Sequence, residues 1–249
     1  MEFRIISYNI HRAIGVDRRF RPERIATILA HYDADIVLLQ EVDVGAPRSQ
    51  GLNLASELAG RLAYPHYAVG LNVQLRQGMY GNATLSRYPI VVERNIDLTI
   101  ALAKARGCLY TALAMPTGPN GQQTRLAVFN LHLGLSSQDR THQVGLVVRS
   151  PEFKALDLDS PCLVAGDLND WRTRLTTIFT EILEFTCATN QVMGSSNSLL
   201  TYPSFSPTGG LDKIFCRGNI QILRGRRCRL RVARVASDHL PVIADLKIK

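Results

Sequence analysis

Pro161-Cys162-Leu163-Val164-Ala165-Gly166-Asp167-Leu168-Asn169 places four consecutive apolar residues directly before a glycine and an Asp-x-Asn triplet. A short apolar run of this kind predicts a buried strand. Burying a carboxylate costs several kcal/mol unless it is paired or bound to a metal. Asp167 therefore belongs at the strand end, on the rim of a sheet. In extended chain Asp167 and Asn169, two apart, point to one side.

The same switch recurs along the chain. Phe3-Arg4-Ile5-Ile6 runs into Ser7-Tyr8-Asn9, and Ile36-Val37-Leu38-Leu39 into Gln40-Glu41. Leu126-Ala127-Val128-Phe129 runs into Asn130-Leu131-His132, and Ala233–Ala236 into Ser237-Asp238-His239. One such ending is weak evidence, because Asp and Asn also serve turns and caps. Five in one chain point to polar groups converging on a ligand. The shared inventory is oxygen-rich, with histidine alongside. Carboxylate and amide oxygens without thiolates favour Mg²⁺ or Mn²⁺ over zinc.

Between the motifs the pattern alternates strands with a few helices. Helices are predicted at Pro22–Tyr32, Leu52–Leu62, near Asp139–Arg149 and at Leu175–Phe185. Strands are predicted at Glu2–Ile10, Asp35–Gln40, His66–Leu75, Asn82–Ser86, Ile90–Ile100, Gly107–Met115, Arg125–Leu131 and Pro161–Ala165. Four more are expected at Leu211–Cys216, Asn219–Leu223, Cys228–Val235 and Leu240–Ile248. Thr117-Gly118-Pro119-Asn120-Gly121 is a hairpin turn signal. Hairpins mixed with helices predict an α/β (α+β) chain of two packed mixed sheets flanked by helices. Residues 1–249 are expected to form a single catalytic domain.

Composition narrows the class. Of 249 residues, 46% are hydrophobic and 20% charged, which suits a globular core and excludes a disordered chain. No apolar run approaches the ~20 residues of a membrane span, and no leader pattern is evident, so a cytoplasmic protein is expected. Cys108, Cys162, Cys187, Cys216 and Cys228 are odd in number and widely spaced. They read as free thiols in a reducing compartment, without a disulfide scaffold or a thiolate zinc site.

The net charge is +8, and residues 213–237 alone supply eight basic and no acidic side chains. Arg229 and Arg231 alternate with Cys228, Leu230 and Val232, as on a half-buried strand with a solvated face. Such a segment is either edge protection or a steering surface for a polyanion, nucleic acid or anionic membrane. No protein partner is implied.

Six motifs in order carry a family resemblance: Tyr8-Asn9-Ile10-His11, Leu39-Gln40-Glu41, Asn130-Leu131-His132-Leu133, Gly166-Asp167-Leu168-Asn169, Leu211-Asp212-Lys213-Ile214-Phe215 and Ser237-Asp238-His239-Leu240-Pro241. Together they resemble the endonuclease/exonuclease/phosphatase superfamily, of deoxyribonuclease-I-like fold, over nearly the whole chain. The resemblance implies a four-layer sandwich and Mg²⁺-dependent hydrolysis of phosphate esters. It implies that Glu41 is the principal metal ligand and Asp238 a further metal-site carboxylate. Asn9 would lie beside metal and scissile phosphate. Asp167 would orient or deprotonate the attacking water, and Asn169 would hold that aspartate or a phosphoryl oxygen. His239 would stabilise the phosphorane charge, oriented by Asp212. His132 resembles the histidine of the deoxyribonuclease, sphingomyelinase and inositol-phosphatase branch.

One departure bears on substrate. Deoxyribonuclease-I-like nucleases pair the His132-type histidine with a second glutamate, yet Leu58 to Val92 contains no Asp or Glu. His132 is then expected to be a phosphate-binding donor and not a charged acid. Arg106 and Arg140 are candidate phosphate contacts. The expected activity is that of a Mg²⁺- or Mn²⁺-dependent phosphodiesterase or phosphatase on a small or lipid-type phosphate. An endonuclease or exonuclease on DNA or RNA is the alternative within the fold. A catalytically inactive phosphate-binding module is the alternative outside it, and the retention of Glu41, Asp167, Asn169, Asp212 and His239 together argues against that.

Overall fold

The computed structural model describes residues 1–101, 103–116, 122–191 and 198–249. In chain order the elements are β1 (Glu2–Asn9), α1 (Pro22–Tyr32), β2 (Ile36–Val44), α2 (Leu54–Arg61), β3 (His66–Gln74), β4 (Met79–Ser86), β5 (Ile90–Asp97), β6 (Gly107–Pro116) and β7 (Gln123–His132). There follow α3 (Ser137–Arg149), α4 (Pro151–Lys154), β8 (Cys162–Asp167), α5 (Arg174–Thr177), β9 (Thr186–Cys187), β10 (Asp212–Arg217), β11 (Ile220–Arg227), α6 (Ala233–Ala236) and β12 (Val242–Ile248). One six-stranded sheet runs β11-β12-β1-β2-β4-β3 and the other β5-β6-β7-β8-β10-β9. Both are mixed: β1–β2 and β7–β8 are parallel pairs among antiparallel neighbours.

Strand alternation sorts the core into three layers of contact. Phe3, Ile5, Ile36, Leu38, Leu126, Val128, Leu163, Ala165 and Ile214 pack together between the sheets. Their neighbours Ile6, Tyr8, Val37 and Leu39 face outward onto Ile25, Ile28 and Leu29 of α1 and Leu54 and Leu58 of α2. On the far side Phe129, Leu131, Val164 and Phe215 face Val144 and Val147 of α3, with Phe153 of α4 and Leu175 of α5. The result is the expected four-layer sandwich, helices outside two stacked sheets.

Parity then decides where the polar residues go. Asn9, Gln40, Asn130, His132, Asp167 and Asp212 are in step with the inner-facing apolar set of their strands. Above the apolar layer they form a buried polar floor. Gln40 Nε2 donates to Asn130 Oδ1 at 2.7 Å, and Asn130 Nδ2 donates to the carbonyls of Leu39 at 3.1 Å and Ala83 at 2.9 Å. Asn130 thus ties the two sheets together beneath the rim.

Several expectations are corrected. Cys228–Val235 is not a strand: it runs as turns into α6, with N–H groups of Ala233, Arg234 and Val235 bonded three residues back. The period-2 set Cys228, Leu230, Val232 competes with a period-3 set, Leu230, Ala233, Ala236, and all of these pack on the α1 side of the core. Ala233–Ala236 is therefore a helical turn ahead of Ser237, not a strand end. The helix expected over Leu175–Phe185 is α5 followed by a wider turn at Ile178–Ile182. The turn at Thr117–Gly121 lies outside the described residues.

Three of the seven arginines in residues 213–237 have structural partners. Arg226 pairs with Asp245, Arg227 donates to the Leu200 carbonyl at 2.5 Å, and Arg217 lies over the rings of Phe153 and Phe185. Arg224, Arg226, Arg227 and Arg229 line a cavity of about 540 Å³ on the β11 edge. The five cysteines are free and buried. Among the described residues no helix is long and apolar enough to cross a membrane.

Candidate active site

The rim is built where the C-terminal ends of β1, β2, β7 and β8 meet the starts of β10 and β12. Strand pairing brings His132, Asp167 and Asp212 side by side, with Asp167 opposite both of the others. Asp167 is buried and accepts Asn9 Nδ2 at 3.0 Å on Oδ2 and the Asn169 backbone N–H at 3.0 Å on Oδ1. The imidazole Nε2 atoms of His132 and His239 each lie 3.6 Å from Asp167 Oδ2.

His239 is held from behind. Its Nδ1 donates to Asp212 Oδ2 at 2.9 Å, and the same oxygen accepts the Thr201 hydroxyl at 2.5 Å. Asp212 Oδ1 is buried and has no hydrogen-bond partner. Burial works against charge on His239, but Asp212 and Asp167 outweigh it and the imidazole is pushed up to about 10. Burial pushes the Asp167 carboxyl up to about 6, and Asp212 adds to the rise against the pull of His239, Asn9 and Asn169. His132 goes the other way. Burial, with Arg106, His239 and Lys104 nearby, holds it well below the ordinary histidine value. The shift favours the neutral ring.

Asn9 is fixed at both ends of its amide, since Oδ1 accepts the His11 N–H at 3.1 Å. Its carbonyl accepts the Ser237 hydroxyl at 2.7 Å, which joins β1 to the Ser237-Asp238-His239 turn. Asp238 beside it is half-buried, and its carbonyl accepts Ser204 N–H at 2.7 Å.

Glu41 leaves the strand alternation at a bulge between Leu39 and Val42, with φ +55°. A non-glycine residue in that region is strained, and such strain concentrates at functional sites. Among the described residues its ionic partner is Arg12 Nε at 3.5 Å. Arg12 itself sits in a turn of three left-handed residues, His11, Arg12 and Ala13. Glu41 lies outside the tight cluster in which Asp167, Asp212 and His239 place ligand-type atoms within 4.8 Å of one another. Within that cluster Nδ1 of His239 is spent on Asp212 Oδ2, which leaves Nε2 as the ring atom turned to the rim.

Two expected geometries change. Asn169 has φ +50°, not extended backbone, so it does not share a side with Asp167. It holds Asp167 through its backbone N–H while its side chain donates to the Leu133 carbonyl at 2.9 Å. Arg140 spends its Nη1 on the carbonyls of Leu135 at 2.5 Å and Gly134 at 3.4 Å. Its Nε and that of Arg106 are buried without hydrogen-bond partners among the described residues. Sequence reasoning passed over Thr201, Ser237 and Arg12. Thr201 reaches Asp212 only because its N–H bonds to the Gly209 carbonyl, and the adjacent glycines Gly209 and Gly210 were its one sequence signal.

The profile of the endonuclease/exonuclease/phosphatase family matches residues 6–239, from β1 to the catalytic-type His239. The chain belongs to that family. Uncharacterized protein YbhP of Escherichia coli is 30% identical over 99% of this chain and 96% of its own length. The fold of a family member from Bacteroides vulgatus superposes with a TM-score of 0.78 at 18% identity, covering all of both chains. A mannosyl-6-phosphatase of Bacteroides thetaiotaomicron superposes with a TM-score of 0.73 at 18% identity, over 98% of this chain and 99% of that one. Both structures establish likeness of fold. The family's two sheets and flanking helices are those described above.

Proposed function

We propose that this chain is a divalent-metal-dependent hydrolase of phosphate esters, acting on a small or lipid-type phosphate. One observation carries the reading. A buried carboxylate that burial pushes up to about 6, Asp167, stands 3.6 Å from Nε2 of His239, whose Nδ1 is held at 2.9 Å by a second buried carboxylate, Asp212. A base and a cationic donor on one rim suit attack of water on a phosphate.

In this mechanism Asp167 accepts a proton from the attacking water as its oxygen bonds to phosphorus and the ester oxygen departs in line. Asn9 and the Asn169 N–H aim the carboxylate. His239 donates through Nε2 to a phosphoryl oxygen as negative charge grows there, and Asp212 holds the ring by Nδ1. His132 is a neutral donor to the same phosphate. Arg106, buried with an unpartnered Nε, supplies fixed positive charge beside it. Arg140, buried and tied by Nη1 to the Leu135 and Gly134 carbonyls, is the second candidate for phosphate.

The residues fit a hard cation. Glu41 is strained onto the rim, and among the described residues its charged partner is Arg12 at 3.5 Å; Asp238 is the further oxygen donor that the family resemblance implies. Mg²⁺ or Mn²⁺ held there supplies charge neutralisation to the phosphate. The neutral His132 and the absence of acid from Leu58 to Val92 favour a small or headgroup phosphate over DNA. A substrate panel of plasmid DNA, abasic oligonucleotide, inositol phosphates, sugar phosphates and phospholipid headgroups tests it. The expected leaders are the small esters. Preferential cleavage of DNA overturns the substrate assignment.

A further inference from the structure

Trp171 is the only tryptophan of the chain, and 52% of it is exposed. That leaves one face of a large aromatic open to contact. It is nevertheless held firmly. Its Cε3–Cζ3–Cη2 edge rests against Gly209, where a Cβ would come within 2.8 Å of Cζ3, 3.1 Å of Cε3 and 3.2 Å of Cη2. The indole stands edge-on to Tyr202, centroids 5.6 Å apart at 88°. Tyr202 in turn lies 4.9 Å from the imidazole of His239.

The backbone is pinned as well. Trp171 N–H bonds to the Asn169 carbonyl at 3.2 Å, and the buried Asp170 carboxylate accepts the N–H groups of Arg174 at 3.1 Å and Leu175 at 2.8 Å. Trp171 belongs to none of the three apolar clusters of the core. One ring away from His239 and two residues from Asn169, it is backed on one side and open on the other.

We infer that Trp171 and Tyr202 form a stacking wall for an aromatic ring carried by the substrate, on its leaving group or its ester arm. This rests on the phosphoester function proposed above and narrows its substrate class. Aromatic stacking on an exposed indole contributes about tenfold in affinity per ring. The wall lies beside the donor that faces the phosphate, so a ring bound to it fixes the ester relative to Asp167 and His239. Such positioning is how remote binding energy aids a reaction.

Phenylphosphonate and methylphosphonate test this, because neither has an ester bond to hydrolyse. Their affinities are measured by calorimetry in the presence of Mg²⁺, with Trp171 fluorescence followed in parallel. The expected result is about tenfold tighter binding of the phenyl compound, with a change in Trp171 emission that methylphosphonate does not cause. Trp171→Ser should erase the preference. Gly209→Ala should also erase it, by pushing a retained indole off its seat, and it serves if the serine variant misfolds. Equal affinity for the two phosphonates in the native protein, or a preference that survives in Trp171→Ser, overturns the inference and leaves the phosphoester function standing. Binding of neither compound overturns both. Emission that ignores phenylphosphonate and shifts blue on phosphatidylglycerol vesicles makes Trp171 a membrane contact and overturns the stacking wall.

Discussion

Asp212 holds His239 by a 2.9 Å contact from Nδ1 to Oδ2, and that contact decides the charge of the site. Burial alone would make the imidazole neutral. With Asp212 behind it and Asp167 in front, the ring is pushed up to about 10 and is a cation throughout the physiological range.

Removing that charge should therefore move the alkaline limb. In Asp212→Asn the imidazolium loses its main support, and kcat/KM at pH 8 should fall at least ~100-fold, as for loss of a charged transition-state donor. The alkaline limb of the pH profile, near 10 in the native protein, should move toward neutrality. A limb that stays in place in the variant excludes His239 as the titrating donor. Thr201→Val removes only the hydroxyl that steadies Asp212 and should cost about tenfold or less, in line with one neutral hydrogen bond.

In the proposed mechanism the acid limb would belong to Asp167. It must be ionised to take a proton, so kcat/KM should rise with pH through about 6, the value to which burial pushes it. A cation bound nearby can only move that limb downward. A limb above pH 7 contradicts the assignment of Asp167 as the base.

Asp167 should also cost stability. Its folded-state value of about 6 lies above the ordinary 3.8, so the folded protein favours the protonated form. Ionisation then opposes folding, increasingly as pH rises from 3.8 through 6. Asp167→Asn removes that cost. It should lose at least ~100-fold in turnover and gain on the order of 1–3 kcal/mol at pH 8, read as a Tm several degrees higher. At pH 3.5 the gain should vanish. A variant that loses Tm at pH 8 shows that the His239 and Asn9 contacts outweigh the desolvation of the carboxylate.

The arginines of residues 213–237 should matter more for stability than for catalysis. Arg226 is tied to Asp245 and Arg227 to the Leu200 carbonyl. Changing Arg226, Arg227, Arg229 and Arg231 together to Gln should lower Tm. It should leave the salt dependence of kcat/KM on a small ester shallow, because few phosphates are contacted. A steep slope on DNA that collapses in the quadruple variant makes the nuclease alternative the leading one.

Much of this was legible in the residues. The helix at Pro22–Tyr32 has the expected bounds, because a proline at its first position and a clean apolar face at Ile25, Ile28 and Leu29 agree. The strand ends were legible because an abrupt change from apolar to acid-amide residues has few buried solutions. What escaped was left-handed backbone and long-range closure. Neither the bulge that frees Glu41 nor the φ of Asn169 is marked by a glycine. The turns of Cys228–Val235 imitate a strand because their apolar residues satisfy both a two- and a three-residue repeat. Thr201 and Trp171 acquire their places only when Gly209 folds back on them.

Metal-assisted hydrolysis at Glu41 and Asp167, as proposed, stands or falls on metal removal. Protein stripped with a chelator and dialysed is assayed on bis(p-nitrophenyl) phosphate, then titrated with Mg²⁺ and Mn²⁺, alongside Glu41→Gln. No turnover is expected without metal, with recovery on titration, and Glu41→Gln should need at least ~10-fold more metal, as loss of a charged ligand implies. Undiminished hydrolysis by the stripped native protein, or a Glu41→Gln variant with native metal dependence, would contradict it.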